Sequence, residues 1–180
     1  MPFVIMSEAE CRTWWGEHFP GSAPVGFMLR QIYDERWLRI HSLPESKRYA
    51  DTVGEYAELL RRHNQVATDA LGDGSRCYLI EGFWVESEEG RRGWVMTVEG
   101  MELPLRLEVT EVVWVYGRYD ALLREVADST REKVLFASRE SGRIYAPYDG
   151  GADLIYRDGQ ERDEFRHAYR AWLSRHPAGL

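Results

Sequence analysis

Two short stretches hold the side chains most capable of chemistry. The first, "RIHSLPESKRY" at residues 39–49, sets His41 beside Ser42 and follows with Lys47 and Arg48; Arg39 lies two residues before the histidine. A serine next to a histidine cannot form a nucleophile–base pair by adjacency, because successive strand residues face opposite sides. What these basic residues can build is a small pocket for a carboxylate or phosphate. The commoner role of such a stretch is a solvated loop with a helix cap. The second, "APYDGGAD" at 146–153, carries Tyr148, Asp149 and Asp153. Its simplest reading is a hairpin turn, in which Asp149, Gly150 and Gly151 supply positive φ angles and Pro147 sits on an edge strand. Asp153 fits that reading less well. Aspartate is disfavoured in strands, and it shares a face with Ile155. If buried, its carboxylate needs an arginine or lysine partner. The candidate binding residues are therefore His41, Lys47, Arg48, Tyr148, Asp149 and Asp153, with a structural turn-capping role preferred for the aspartate of the bend.

Known chemical signatures are missing. No GxGxxG follows a strand, and GxxxxGK[ST], HExxH and GxSxG do not occur. Asp149, Asp153 and Asp158 are spaced too widely for a calcium loop. Of the histidines His18, His41, His63, His167 and His176, no two stand at i, i+4 on a helix face. His63 falls on the apolar stripe of a helix and reads as a core imidazole bonded to a carbonyl. Cys11 and Cys77 sit among apolar neighbours and form no Cys-x-x-Cys pair, so they read as small buried hydrophobes. No catalytic set, metal or cofactor is expected.

The elements that must position these residues follow from periodicity. Ser7 and Glu10 read as a capping box for a helix from about Glu8 to His18. "FPGSAPVG" breaks the pattern into an irregular link, and "ERWLRIHSL" reads as a strand. Thr52 and Glu55 form a second capping box. It opens the longest helix, with Val53, Tyr56, Ala57, Leu60, Ala67 and Leu71 on one face until "GDG" stops it. Three strands follow: "RCYLIEGFWV", "GWVMTVE" and "LPLRLEVTEVVWVYG". The last alternates over Leu103–Val109 and changes phase near Glu111–Val113, which suggests a bulge or a boundary. A short helix carries Tyr119, Leu122, Leu123 and Val126. "KVLFAS", "RIYAPY" and "ADLIYR" then read as a three-strand meander, closed by a helix with Phe165, Ala168, Tyr169 and Trp172 that stops at Pro177 and Gly179. Because strands follow one another directly, the fold class is α+β: one domain over 1–180, a mixed, mainly antiparallel sheet and about four helices.

At 180 residues the chain can bury a full core without a disulfide or metal. A net charge of −7 argues against nucleic acid and anionic membranes, which need clustered Lys and Arg. It serves solubility first, and it would also draw a basic protein partner. The seven Trp and ten Tyr exceed ordinary usage, and any surplus beyond the core could line a groove or interface. No signal peptide or bilayer-spanning run is visible, so a cytoplasmic protein is expected.

"IYAPYDGGADLIY" with "YRAWLS" in the last helix resembles a C-terminal pattern of small bacterial proteins grouped only as domains of unknown function. Pro147, Tyr148, Asp149, Gly151, Asp153, Tyr169 and Trp172 carry the match, over about the last 35 residues. Gly150 departs from it, standing where the pattern has an acidic–basic pair. The resemblance implies bacterial origin and an α+β architecture, and it brings no activity. Acidic balance, aromatic surplus and the missing signatures together favour a non-enzymatic protein-binding module of the immunity or adaptor kind. The alternative is a small hydrolase or ligand-binding enzyme that uses the Asp149/Asp153 turn with the His41–Arg48 loop.

Overall fold

The computed structural model describes residues 3–86 and 93–174. Seven strands form one open sheet: β1 (Trp37–His41), β2 (Arg76–Trp84), β3 (Trp94–Met96), β4 (Leu105–Val113), β5 (Val134–Ser138), β6 (Ile144–Tyr148) and β7 (Gly151–Ile155). Their order is β1-β7-β6-β5-β2-β4-β3, and each adjacent pair is antiparallel. The fold is α+β, with the expected β5–β6–β7 meander and no parallel pair among the described residues.

Strand alternation gives the sheet two apolar faces, each with its own helices. On one face Leu38, Ile40, Phe136, Tyr145 and Leu154 pack beneath α3 (Val53–Leu71), α4 (Asp120–Ala127) and the segment after α5 (Gly159–Ala168). On the other, Tyr78, Ile80, Leu107, Ile144 and Ile155 pack beneath α1 (Phe3–His18) and α2 (Gly26–Ile32). The aromatic surplus goes into these cores. Among the described residues no Trp is exposed, and only Tyr49 and Tyr116 of the tyrosines are. Cys11 and Cys77 are buried, and burial pushes each thiol up to about 12.

Several local expectations need correction. α1 starts at Phe3, so Ser7 lies inside the helix and cannot cap it. α2 was not foreseen, because seven residues between a Pro-Gly link and a strand show too little periodicity. The Thr52–Glu55 capping box is present, but α3 buries a face through Leu59, Leu60, His63, Val66, Ala67 and Ala70. Val53, the first residue of the helix, is 89% exposed. β4 pairs with β2 unbroken from Leu105 to Val113, so the phase change marks the strand's end and no bulge. Among the described residues five α-helices stand where about four were expected. The stop at Pro177 and Gly179, with His176, lies outside the described residues.

A polar chain crosses the first core. Ser42 Oγ shares a hydrogen bond with His63 Nε2 (2.7 Å), and His63 Nδ1 shares one with the Tyr145 hydroxyl (2.6 Å). All three are buried, and side chains take the place of the expected carbonyl partner. Burial, with Arg62 adjacent, pulls the His63 pKa from 6.5 to about 4. The folded imidazole resists a proton that the unfolded one accepts, so the stability it secures is complete above pH 6.5 and declines as pH drops toward 4. His41, also lowered by burial and by Arg39, acts in the same direction. Urea titrations at pH 7.5 and pH 5 should differ by about 2 kcal/mol or more. Equal midpoints at the two pH values would show that His63 is not held neutral.

Candidate functional site

The β1–β7–β6 register places three of the candidates, His41, Tyr148 and Asp153, with Arg39 in two rows on the face beneath α2. Arg39, Asp153 and Ala146 lie side by side in one row; His41, Gly151 and Tyr148 form the next. Arg39 and Asp153 are thus directly opposed cross-strand partners of opposite charge. Arg39 Nε and Nη2 donate to Asp153 Oδ1 and Oδ2 at 2.8 and 2.9 Å, and Trp37 Nε1 adds a third donor to Oδ1 at 2.8 Å. The pair is well enclosed, with side chains 14% and 5% exposed. Burial alone would lower the Arg39 pKa, yet the Asp153 carboxylate more than offsets it and the guanidinium is held above its ordinary value. The guanidinium also lies 4.6 Å over the Tyr148 ring and 5.5 Å from that of Trp37.

Of the two turn glycines, Gly151 is required for space. Neither Gly150 nor Gly151 has a positive φ, contrary to expectation. At Gly151 a methyl group would collide with the Ile40 carbonyl oxygen and come within 3.0 Å of the Tyr148 hydroxyl. The bare backbone lets β1 approach and lets the Tyr148 ring lean across β7 toward Arg39. Gly26 does the same for α2, since its Cβ would meet that of Ala146 at 2.8 Å.

Asp149, at the hairpin tip, fastens the β1–α3 loop. Arg48 donates to both its oxygens at 2.9 Å and the Tyr49 hydroxyl adds a bond of 2.9 Å. Burial raises the Asp149 pKa, but the hydrogen bonds from Arg48 and Tyr49 outweigh it and keep the group below its usual value. Lys47 is not brought in. It bonds Glu55 (2.6 Å) in the first turn of α3 and Asp51 (2.8 Å) just before it.

Between these rows, α2 and the α4–β5 link opens a cleft of about 490 Å³, lined by Arg39, His41, Arg48, Lys133, Tyr148 and both aspartates, with Phe27, Val25 and Pro147 as apolar wall. A side cavity of about 270 Å³ continues from it past Ser129. Pro147 helps to create the opening. β6 is an interior strand, so the expected edge position is incorrect, but β5 pairs with β6 only through Phe136 and Ala137. Proline has no N–H to continue the ladder, and the two strands part where it stands. Strain gathers here too. Of the four described non-glycine residues in the left-handed region, Ser46, Ser129 and Lys133 line the cleft or its side cavity and Glu45 adjoins Ser46.

Sequence reasoning found five of its six candidates in or at this cleft, but missed Lys133, Phe27 and the gap at Pro147. The proline was the available signal, because it cannot donate within a central strand. Tyr169 and Trp172 lie on the opposite face, away from the cleft. Among the described residues no group of His, Cys, Asp and Glu could hold a metal ion, and no helix is long and apolar enough to cross a membrane.

The fold and cleft define an α+β protein with a charged groove at a hairpin tip. The chain belongs to the family described as Domain of unknown function (DUF3885), whose model matches residues 25–177. That span begins at the first cleft residue, Val25, and includes the whole lining. No curated protein and no solved structure matches the chain.

The two carboxylates should differ sharply when removed. Asp153→Ala strands a buried guanidinium and should cost about 3–5 kcal/mol in urea denaturation, whereas Asp149→Ala frees an exposed one and should cost about 1 kcal/mol or less. Gly151→Ala should be destabilising by more than about 2 kcal/mol, through backbone collision alone. Equal losses for the two aspartates would contradict this assignment.

Proposed function

We propose that the chain is a non-enzymatic binding module whose ligand occupies the cleft between the hairpin tip, the β1–α3 loop and α2. One observation carries the reading: both carboxylates in the cleft are tied in two-point pairs with arginines, which makes a fixed recognition surface and leaves neither free as acid, base or nucleophile. The Ser42–His63 contact supports no reaction, because Ser42 is fully buried on the other face. A cleft of this size falls in the range of about 300–1,000 Å³ of small-ligand pockets.

An immunity-type or adaptor role fits this reading if the partner inserts a segment into the cleft. Burial of the tryptophans gives little support to docking through an exposed aromatic patch.

A small hydrolase is the second reading, favoured by His41. Its Nε2 is buried without a hydrogen bond, and burial with Arg39 keeps the ring neutral.

A fragment panel monitored by ¹⁵N–¹H NMR separates the two. Saturable shifts at Arg39, Arg48, Lys133 and Tyr148–Asp153, with no turnover of ester or phosphoester probes, are the expected result. Turnover that disappears in His41→Ala would establish the hydrolase instead, and shifts confined to another face would dismiss the cleft.

A further inference from the structure

Hydrogen-bonding capacity in the cleft is unbalanced. Asp153 accepts three bonds, two on Oδ1 and one on Oδ2. Asp149 accepts from both arms of Arg48, from Tyr49 and, at 3.5 Å, from Ser129. Each arginine spends only its Nε and Nη2 edge on its aspartate. The Nη1 groups of Arg39 and Arg48 and the hydroxyl of Tyr148 make no hydrogen bond among the described residues. Both carboxylates of the cleft are therefore occupied while these arginine and tyrosine donors are unused, which favours an acceptor-rich ligand.

Charge narrows the class. The lining holds Arg39, Arg48 and Lys133 against Asp149 and Asp153, with His41 neutral: three positive less two negative leaves one positive charge. Glu132, which pairs with Lys133 at 3.0 Å, is 69% exposed and outside the main lining. One residual charge matches a monoanion. A phosphate dianion would bring a second negative charge into a protein already at −7. The lining also has apolar members, with Phe27 37% exposed and Val25 and Pro147 in the same cleft. Donors and hydrocarbon in one cleft describe a carboxylate attached to an apolar group.

Resting on the binding reading above, we infer that the cleft receives a carboxylate that carries a neighbouring apolar group, held by Arg39 Nη1, Arg48 Nη1 and the Tyr148 hydroxyl, with the apolar group against Phe27. A free organic acid and the C-terminus of a peptide ending in an apolar residue share this chemistry.

The test is titration of the full chain by calorimetry and ¹⁵N–¹H NMR with four probes: N-acetyl-leucine, its uncharged amide, an acetylated tetrapeptide ending in leucine with a free carboxylate, and inorganic phosphate. N-acetyl-leucine should perturb the amides around Arg39, Arg48 and Tyr148, and the amide should bind about tenfold more weakly. Arg48→Gln, at an exposed position that spares the core, should weaken the acid by a similar factor and leave the amide unchanged. Tyr148→Phe should do so by a few-fold. Tighter binding of the tetrapeptide identifies a chain terminus as the source and equal binding a small acid; both support the class. Equal affinity for acid and amide, or preference for phosphate, overturns it. If the amide alone shifts cleft resonances, the carboxylate is wrong but the cleft still binds. If no probe reaches the cleft, both this inference and the binding reading fail.

Discussion

The Asp153 carboxylate, buried in the middle of a strand, is the constraint on which this end of the molecule depends. A charge at that depth is tolerable only with near-complete pairing, and Arg39 and Trp37 from β1 provide it. β1 and β7 are far apart in sequence, so the pair also fixes which strand closes the sheet and in what register. A slip of one residue would send Arg39 into the apolar face beneath α3. Such a pair adds little net stability over an apolar replacement, yet it penalises every arrangement that leaves one member alone.

The cleft follows from this frame and three local features. Gly151 gives room for Tyr148 to fold over Arg39, Gly26 brings α2 down onto Ala146, and Pro147 ends the β5–β6 ladder so that the strands part. Asp149 then binds the β1–α3 loop across the hairpin tip through Arg48 and Tyr49. Both carboxylates of these contacts are held in two-point pairs with arginines. That argues for recognition before reaction, and the left-handed backbone at Ser46, Ser129 and Lys133 fits a surface shaped at some conformational cost.

Much of this was legible in the sequence, for identifiable reasons. An aspartate that shares a strand face with Ile155 needs a basic partner if it is buried, whatever the fold, and the meander showed itself through alternation and short glycine links. The partner's identity was not legible, because β1–β7 pairing spans more than a hundred residues and no local pattern encodes it. The turn glycines were read for backbone angle, whereas the crowding that selects them comes from Ile40 and Tyr148 on neighbouring strands. Pro147 was given an edge position by the usual rule; only the sheet order reveals an interior strand whose neighbour has stopped pairing. α2 is too short to display a period, so the cleft's apolar wall went unseen.

A double-mutant cycle across Arg39 and Asp153 tests the central claim most directly. With Arg39→Gln, Asp153→Asn and the double variant compared by urea denaturation, the account predicts a coupling energy of about 2 kcal/mol or more, the double variant being far less damaged than the singles would sum to. A coupling near zero, as for a solvent-exposed pair, would mean that the carboxylate does not organise this face, and the cleft built on it would lose its foundation.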